Sequence, residues 1–188
     1  MSLDNVEAYV SELLDAASDQ HAANRCLAPL VLAYAAIDIL GSLERLEGEG
    51  TRKSFVRWAD RYLLPHSDLP CSAIDLYAAR CGLLHSLTPE ADLVKRGEAR
   101  RIGYAWGSGR DGDIREMSRR LKRDVIGIHV TSLITAIREG LHKFLVEVRA
   151  DDERRRAVES RSGKWFAQLP IEQAIAFLER TGGRSPAA

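Results

Sequence analysis

The chain has 188 residues, 45% of them hydrophobic, and its 27 Lys and Arg balance its 27 Asp and Glu. That length supports one core-bearing domain, residues 1–188, rather than two of ordinary size, and the neutral sum argues against a general polyanion binder. Three cysteines, Cys26, Cys71 and Cys81, with no C-x-x-C pair argue against a disulfide framework and a zinc site, so a reducing cytoplasm is the expected compartment.

The charge is unevenly spread. Residues 1–50 carry nine acids against two arginines, whereas residues 95–123 carry ten Lys or Arg against four acids. A local basic surface is one reading of the second stretch, and an ordinary solvated face is the other. The start, MSLDNVEAYV, is acidic and periodic, unlike a signal peptide. The greasy run Cys26 to Leu43 contains Pro29, Asp38 and Gly41, and reads as a buried core helix rather than a membrane span.

In chain order, Val6, Tyr9, Val10, Leu13, Leu14 and Ala17 predict an amphipathic helix over about 3–18, with Ser2 as its cap. A second helix is expected from about Arg25 to Leu46, with Pro29 tolerated near its start. Thr51 can cap a third, holding Phe55, Trp58, Tyr62 and Leu63 and stopping before Pro65. A fourth spans about 73–87 after the cap Ser72, and Thr88-Pro89-Glu90 opens one more short helix. Beyond Gly97, Arg101 to Trp106 and Val125 to Val130 read as two short strands. With an exposed helix over about 114–122 between them, they suggest a small β-hairpin insertion at about 98–130. A long helix follows from Thr131 or Ser132 to about Ala150. Residues 171–180 look like peripheral helix, and 182–188 like a flexible tail. The fold class is therefore mainly α.

The most informative spacing is Arg80-Cys81-Gly82-Leu83-Leu84-His85. At about 100° per residue, Leu76, Leu83, Leu84, Leu87, Tyr77 and Ala73 fall within roughly 60° of Arg80, which puts a guanidinium at the centre of an apolar face. His85 is turned about 140° away and stands roughly 7.5 Å further along the axis. A buried cation requires an anion. Asp38 follows Tyr34 by four and Val31 by seven on the inner face of the second helix, so an Arg80–Asp38 ion pair would satisfy both charges. A structural pair and a functional cation are equally compatible with these residues.

Other motifs carry less. Gly107-Ser108-Gly109-Arg110-Asp111-Gly112 matches G-x-G-x-x-G, but the charged helix after it does not suit packing on a dinucleotide-binding sheet, so a flexible turn is expected. The five histidines are scattered without ligand spacing, and neither a metal nor a cofactor is expected. Cys81 and His85, four apart, could form a thiol–imidazole pair, although a small core cysteine is the simpler reading.

At Leu76-Tyr77-Ala78-Ala79-Arg80-Cys81-Gly82-Leu83-Leu84-His85-Ser86 the chain resembles the HEPN superfamily, whose signature is an arginine followed by a histidine late in a helix of an α-helical bundle. The segment Tyr34 to Leu40 resembles that family's earlier core helix, and the likeness spans roughly residues 1–95 plus the long helix after 131. The resemblance implies a HEPN-like antiparallel bundle and a homodimer whose paired arginines and histidines line one cleft. It further implies a metal-independent endoribonuclease of a toxin–antitoxin or phage-defence system, with an antitoxin protein as a partner. His85 would move protons at the ribose 2′-hydroxyl and the leaving 5′-oxygen, and Arg80 would stabilise phosphorane charge. Asp38 and Cys81 would stand behind them, with Lys95, Arg96, Arg100 and Arg101 guiding RNA phosphates. Active members usually carry a polar residue after the arginine, where this chain has Cys81. The same superfamily contains non-catalytic nucleotide-binding and interaction modules, the alternative reading.

Overall fold

The structure, a computed structural model, describes residues 2–163 together with 175 and 176. The expected helix at 171–180 lies outside the described residues apart from those two, which are helical and exposed, and the expected tail at 182–188 lies wholly outside them.

Helix α1 (Leu3–Ala22) buries Leu3, Val6, Val10, Leu14 and Ala17, one stripe at helical spacing. Ser2 makes no side-chain cap; its carbonyl instead accepts the Asn5 and Val6 amides. Helix α2 (Leu27–Leu43) is the central element and buries nine residues, including Tyr34, Ile37 and Leu40. Pro29 sits in its first turn, where an amide has no helical partner to lose. Its C-terminal end is met by cations: Arg161 Nη1 donates to the Leu43 carbonyl and Arg57 Nη2 to the Glu44 carbonyl, both at 2.6 Å. Those contacts satisfy orphan carbonyls and oppose the negative end of the helix dipole.

Helix α3 (Thr51–Trp58) runs into a π turn at Ala59–Leu63 and a 3-10 turn at Leu64–His66, where Pro65 ends regular helix. Trp58 packs on Tyr62, and Tyr62 in turn reaches Phe144 of α7 (Val130–Arg149), with the Tyr62 and Phe144 rings 5.5 Å apart and nearly perpendicular. Gly140 makes this approach feasible, since a Cβ there would lie 3.0 Å from the Trp58 ring and 3.1 Å from the Tyr62 carbonyl. Helix α8 (Asp152–Ser162) is capped by Asp151, whose carboxylate accepts the Glu153 and Arg154 amides. One contiguous apolar cluster draws on α1, α2, α3, α7 and both strands.

Helix α4 (Ala73–Ser86) begins with the capping box that Ser72 foreshadows: the Ser72 hydroxyl accepts the Asp75 amide, and the Asp75 carboxylate accepts the Ser72 amide. The short α5 (Asp92–Lys95) starts later than Thr88-Pro89-Glu90 suggests and is anchored on α4 through Leu93, Ala91 and Ala78.

The strands β1 (Arg101–Ala105) and β2 (Val125–His129) are parallel, pairing Arg101 with Val125 through Ala105 with His129, and so do not form the expected hairpin. Helix α6 (Asp111–Arg120) carries the chain back along the first strand, so the second must start beside the first one's beginning. The unit is a small β-α-β crossover whose helix buries none of its residues. The strand pair is tied to the bundle by a short hydrogen bond between the Tyr104 and Tyr34 hydroxyls. Burial and their mutual proximity push Tyr34 well above the ordinary tyrosine range, and burial foremost does the same to Tyr104. Helix α7 starts one residue earlier than expected because His129 is its cap, Nδ1 accepting the Thr131 amide at 3.2 Å.

The chain is mainly α-helical, and among the described residues no helix is long and apolar enough to cross a membrane.

Candidate functional site

Helices α2 and α4 cross so that Asp38 and Arg80 meet. Arg80 Nε donates to Asp38 Oδ2 at 2.7 Å, and Nη2 approaches the same oxygen at 2.7 Å. Only 15% of the Arg80 side chain and 19% of Asp38 is exposed, so the pair is largely withdrawn from water. Burial alone would weaken the Arg80 cation, but the hydrogen bond and charge of Asp38 outweigh it and raise its pKa. The ion pair expected from helical spacing is thus present. Because both contacts fall on Oδ2, the buried Asp38 Oδ1 has no hydrogen-bond partner.

The third corner differs from the angular expectation. Arg80 Nη1 stands 2.8 Å from His85 Nε2, although the two Cα positions diverge around the helix. The long guanidinium stem leans along the helix surface and spans the gap that backbone angles alone leave open. Arginine has donors and no acceptor, so in this arrangement His85 Nε2 accepts and the imidazole is neutral, with its proton on Nδ1. Asp38, Arg80 and His85 therefore form one directional chain running from a half-buried carboxylate to an exposed imidazole. Its outer end can accept a proton once Arg80 is drawn away, and its middle can hold an anion without losing Asp38.

His85 also borders an open cleft of about 590 Å³. Tyr77, Cys81 and His85, spaced four apart on α4, form one wall; Arg52 of α3 and Lys95 and Arg96 at the end of α5 stand around it. Cys81 is a half-buried free thiol, and burial together with this thiol raises the Tyr77 hydroxyl. Arg52 and Tyr77 are not singled out by sequence reasoning. The i, i+4 step from Cys81 back to Tyr77 is the signal that could have found the second, whereas Arg52 reaches the cleft only through tertiary packing.

The four basic residues behind the motif separate into two kinds. Lys95 and Arg96 line the cleft beside His85. Arg100 is committed to α4: its amide donates to Asp75 Oδ1 at 2.6 Å and its guanidinium to Oδ2 at 2.8 Å. Burial works against the Asp75 carboxylate, yet the hydrogen bonds from Ser72 and Arg100 win and hold its pKa below the usual range. Arg101 pairs with Glu90 at 2.7 Å.

The glycine-rich stretch forms a turn with Gly107 at φ +60° and then the start of α6. Its first helical turn holds Asp111 and Asp113, and Asp113 accepts the Arg110 amide, so carboxylates occupy the place where a phosphate cradle would need free amides. Among the described residues no three His, Cys, Asp or Glu side chains stand close enough to hold a metal ion. No family model, curated protein or solved structure matches the chain.

Proposed function

We propose that the chain is a HEPN-like endoribonuclease that needs no metal, its site completed by a second copy in a homodimer. The observation that carries this reading is the 2.8 Å contact between Arg80 Nη1 and His85 Nε2, with Asp38 fixing the guanidinium from behind. A phosphodiester entering the cleft draws Nη1 onto a non-bridging oxygen and frees Nε2. His85 then takes the proton of the ribose 2′-hydroxyl, whose oxygen attacks phosphorus. Arg80 stabilises the charge of the resulting phosphorane. The His85 of the second copy protonates the departing 5′-oxygen, leaving a 2′,3′-cyclic phosphate and a 5′-hydroxyl end. Such an activity suits a toxin restrained by an antitoxin protein, or a phage-defence effector, in the cytoplasm.

One observation favours a second reading, a nucleotide-binding or partner-binding dimer without catalysis. Arg80 is mostly buried and already shared between Asp38 and His85, as a purely structural cation would be. The two readings part on one assay: wild type and His85→Ala incubated with RNA in EDTA, alongside growth on expression. Cleavage and growth arrest by wild type alone support the ribonuclease. No cleavage by a purified dimer, and identical growth, leave the binding module.

A further inference from the structure

The cleft beside His85 contains two cations whose anion is provisional. Arg52, in the first turn of α3, and Arg96, just beyond α5, belong to separate elements and are joined by one carboxylate. Glu98 Oε2 accepts from Arg52 Nη2 at 3.3 Å, and its Oε1 accepts from Arg96 Nε at 2.6 Å. Two guanidiniums sharing the oxygens of one anion is the arrangement a phosphate also takes. Both arginines line the same cavity as His85 and Tyr77.

We propose that Arg52 and Arg96 form a second phosphate subsite of the His85 cleft, taking the neighbouring phosphodiester of a single-stranded polynucleotide, and that Glu98 holds this subsite as a built-in competitor until it is displaced. The proposal rests on the ribonuclease reading for the kind of ligand, while its geometry is independent of any cleavage. The side chains of Arg52, Arg96 and Glu98 are 48%, 57% and 41% exposed. A bridge among groups so well solvated contributes little net stability, so a phosphodiester meeting the same donors replaces it without disturbing the fold. Arg96 first, and Arg52 with it, lowers the Glu98 pKa, so the competitor is an anion at neutral pH. Arg100 is the contrast. Its partner Asp75 is 2% exposed and caps α4, so that carboxylate cannot leave without undoing a helix terminus. The cavity volume falls within the ~300–1,000 Å³ usual for ligand-sized clefts, room for a nucleotide unit between His85 and the bridge.

The test is binding of a fluorescent single-stranded oligodeoxynucleotide, which lacks the 2′-hydroxyl and cannot be cleaved by this chemistry, measured by anisotropy against salt. Glu98→Gln is expected to tighten binding about five- to tenfold and to steepen the salt dependence by roughly 0.7 for each additional phosphate that the arginines engage. Asp92→Asn makes the same charge change on the wall of the cleft itself, but Asp92 pairs with Lys95 rather than with either arginine, and it should tighten binding no more than about twofold. Arg52→Ala/Arg96→Ala should weaken binding about tenfold and abolish the response to Glu98→Gln. A Glu98→Gln improvement no larger than that of Asp92→Asn, or one that survives loss of both arginines, overturns the subsite. RNA cleavage is scored separately. If no RNA is cut yet the Glu98→Gln improvement depends on the arginines, the subsite stands and the ribonuclease reading falls; if RNA is cut and Glu98→Gln has no effect, only the subsite falls.

Discussion

A Cβ placed on Gly82 would lie 2.1 Å from the carbonyl oxygen of Thr88. The Thr88 amide in turn donates to the Gly82 carbonyl at 3.1 Å, so the chain leaving α4 folds directly back over the middle of the Arg80–His85 motif. Gly82 is a steric requirement of the cleft, because the returning segment carries the residues opposite His85. Gly82→Ala is expected to lose about 1–3 kcal/mol of stability in urea denaturation, the usual range for overpacking. Gly112→Ala, in the first turn of α6 with nothing within 4 Å, should instead stabilise by about 0.4–1 kcal/mol.

The Asp38–Arg80 pair supports a double-mutant cycle. Asp38→Ala leaves a mostly buried guanidinium without its carboxylate and should cost about 1–3 kcal/mol, between the values for exposed and fully buried pairs. Adding Arg80→Leu to Asp38→Ala should restore most of that loss, since the uncompensated charge is then gone. Equal stability of the single and double variants in urea would show that the pair does not set the cost.

Asp75 gives a pH signature. Its folded pKa is depressed, so its contribution is fully present above the ordinary carboxylate range and is lost as pH falls below about 4, through the folded value. The Tm difference between wild type and Asp75→Asn should therefore be largest near neutrality and shrink steadily in acid. A difference that stays constant from pH 7 to the acid limit would contradict it.

The paired tyrosine hydroxyls behave differently singly and together. Tyr104→Phe leaves the buried Tyr34 hydroxyl without its partner and should cost about 1–3 kcal/mol, whereas Tyr34→Phe/Tyr104→Phe should be nearly neutral. Thermal denaturation of wild type and the two variants checks this.

How far the fold could be read beforehand varied with the physical rule involved. The Asp38–Arg80 pair follows from helical spacing, since two charges on two inward faces have few other partners. The Ser72 cap follows from Ser and Asp three residues apart. The Arg80–His85 contact does not follow, because angular position describes Cα atoms and not the reach of a guanidinium. The strand direction was within reach: a helix of ten residues between two strands already favours a parallel crossover over a hairpin. Arg100 and Arg101 differ from Lys95 and Arg96 only through tertiary partners, Asp75 and Glu90, so composition could not separate them.

The central claim is that His85, relieved of Arg80, drives attack by the ribose 2′-hydroxyl. The most direct measurement is the end chemistry of RNA fragments produced in EDTA by the purified protein. Wild type is predicted to yield 2′,3′-cyclic phosphate and 5′-hydroxyl ends, with His85→Ala slower by about 10²- to 10⁴-fold, the usual worth of a positioned acid or base. Fragments bearing 5′-phosphate, or undiminished cleavage by His85→Ala, would contradict it.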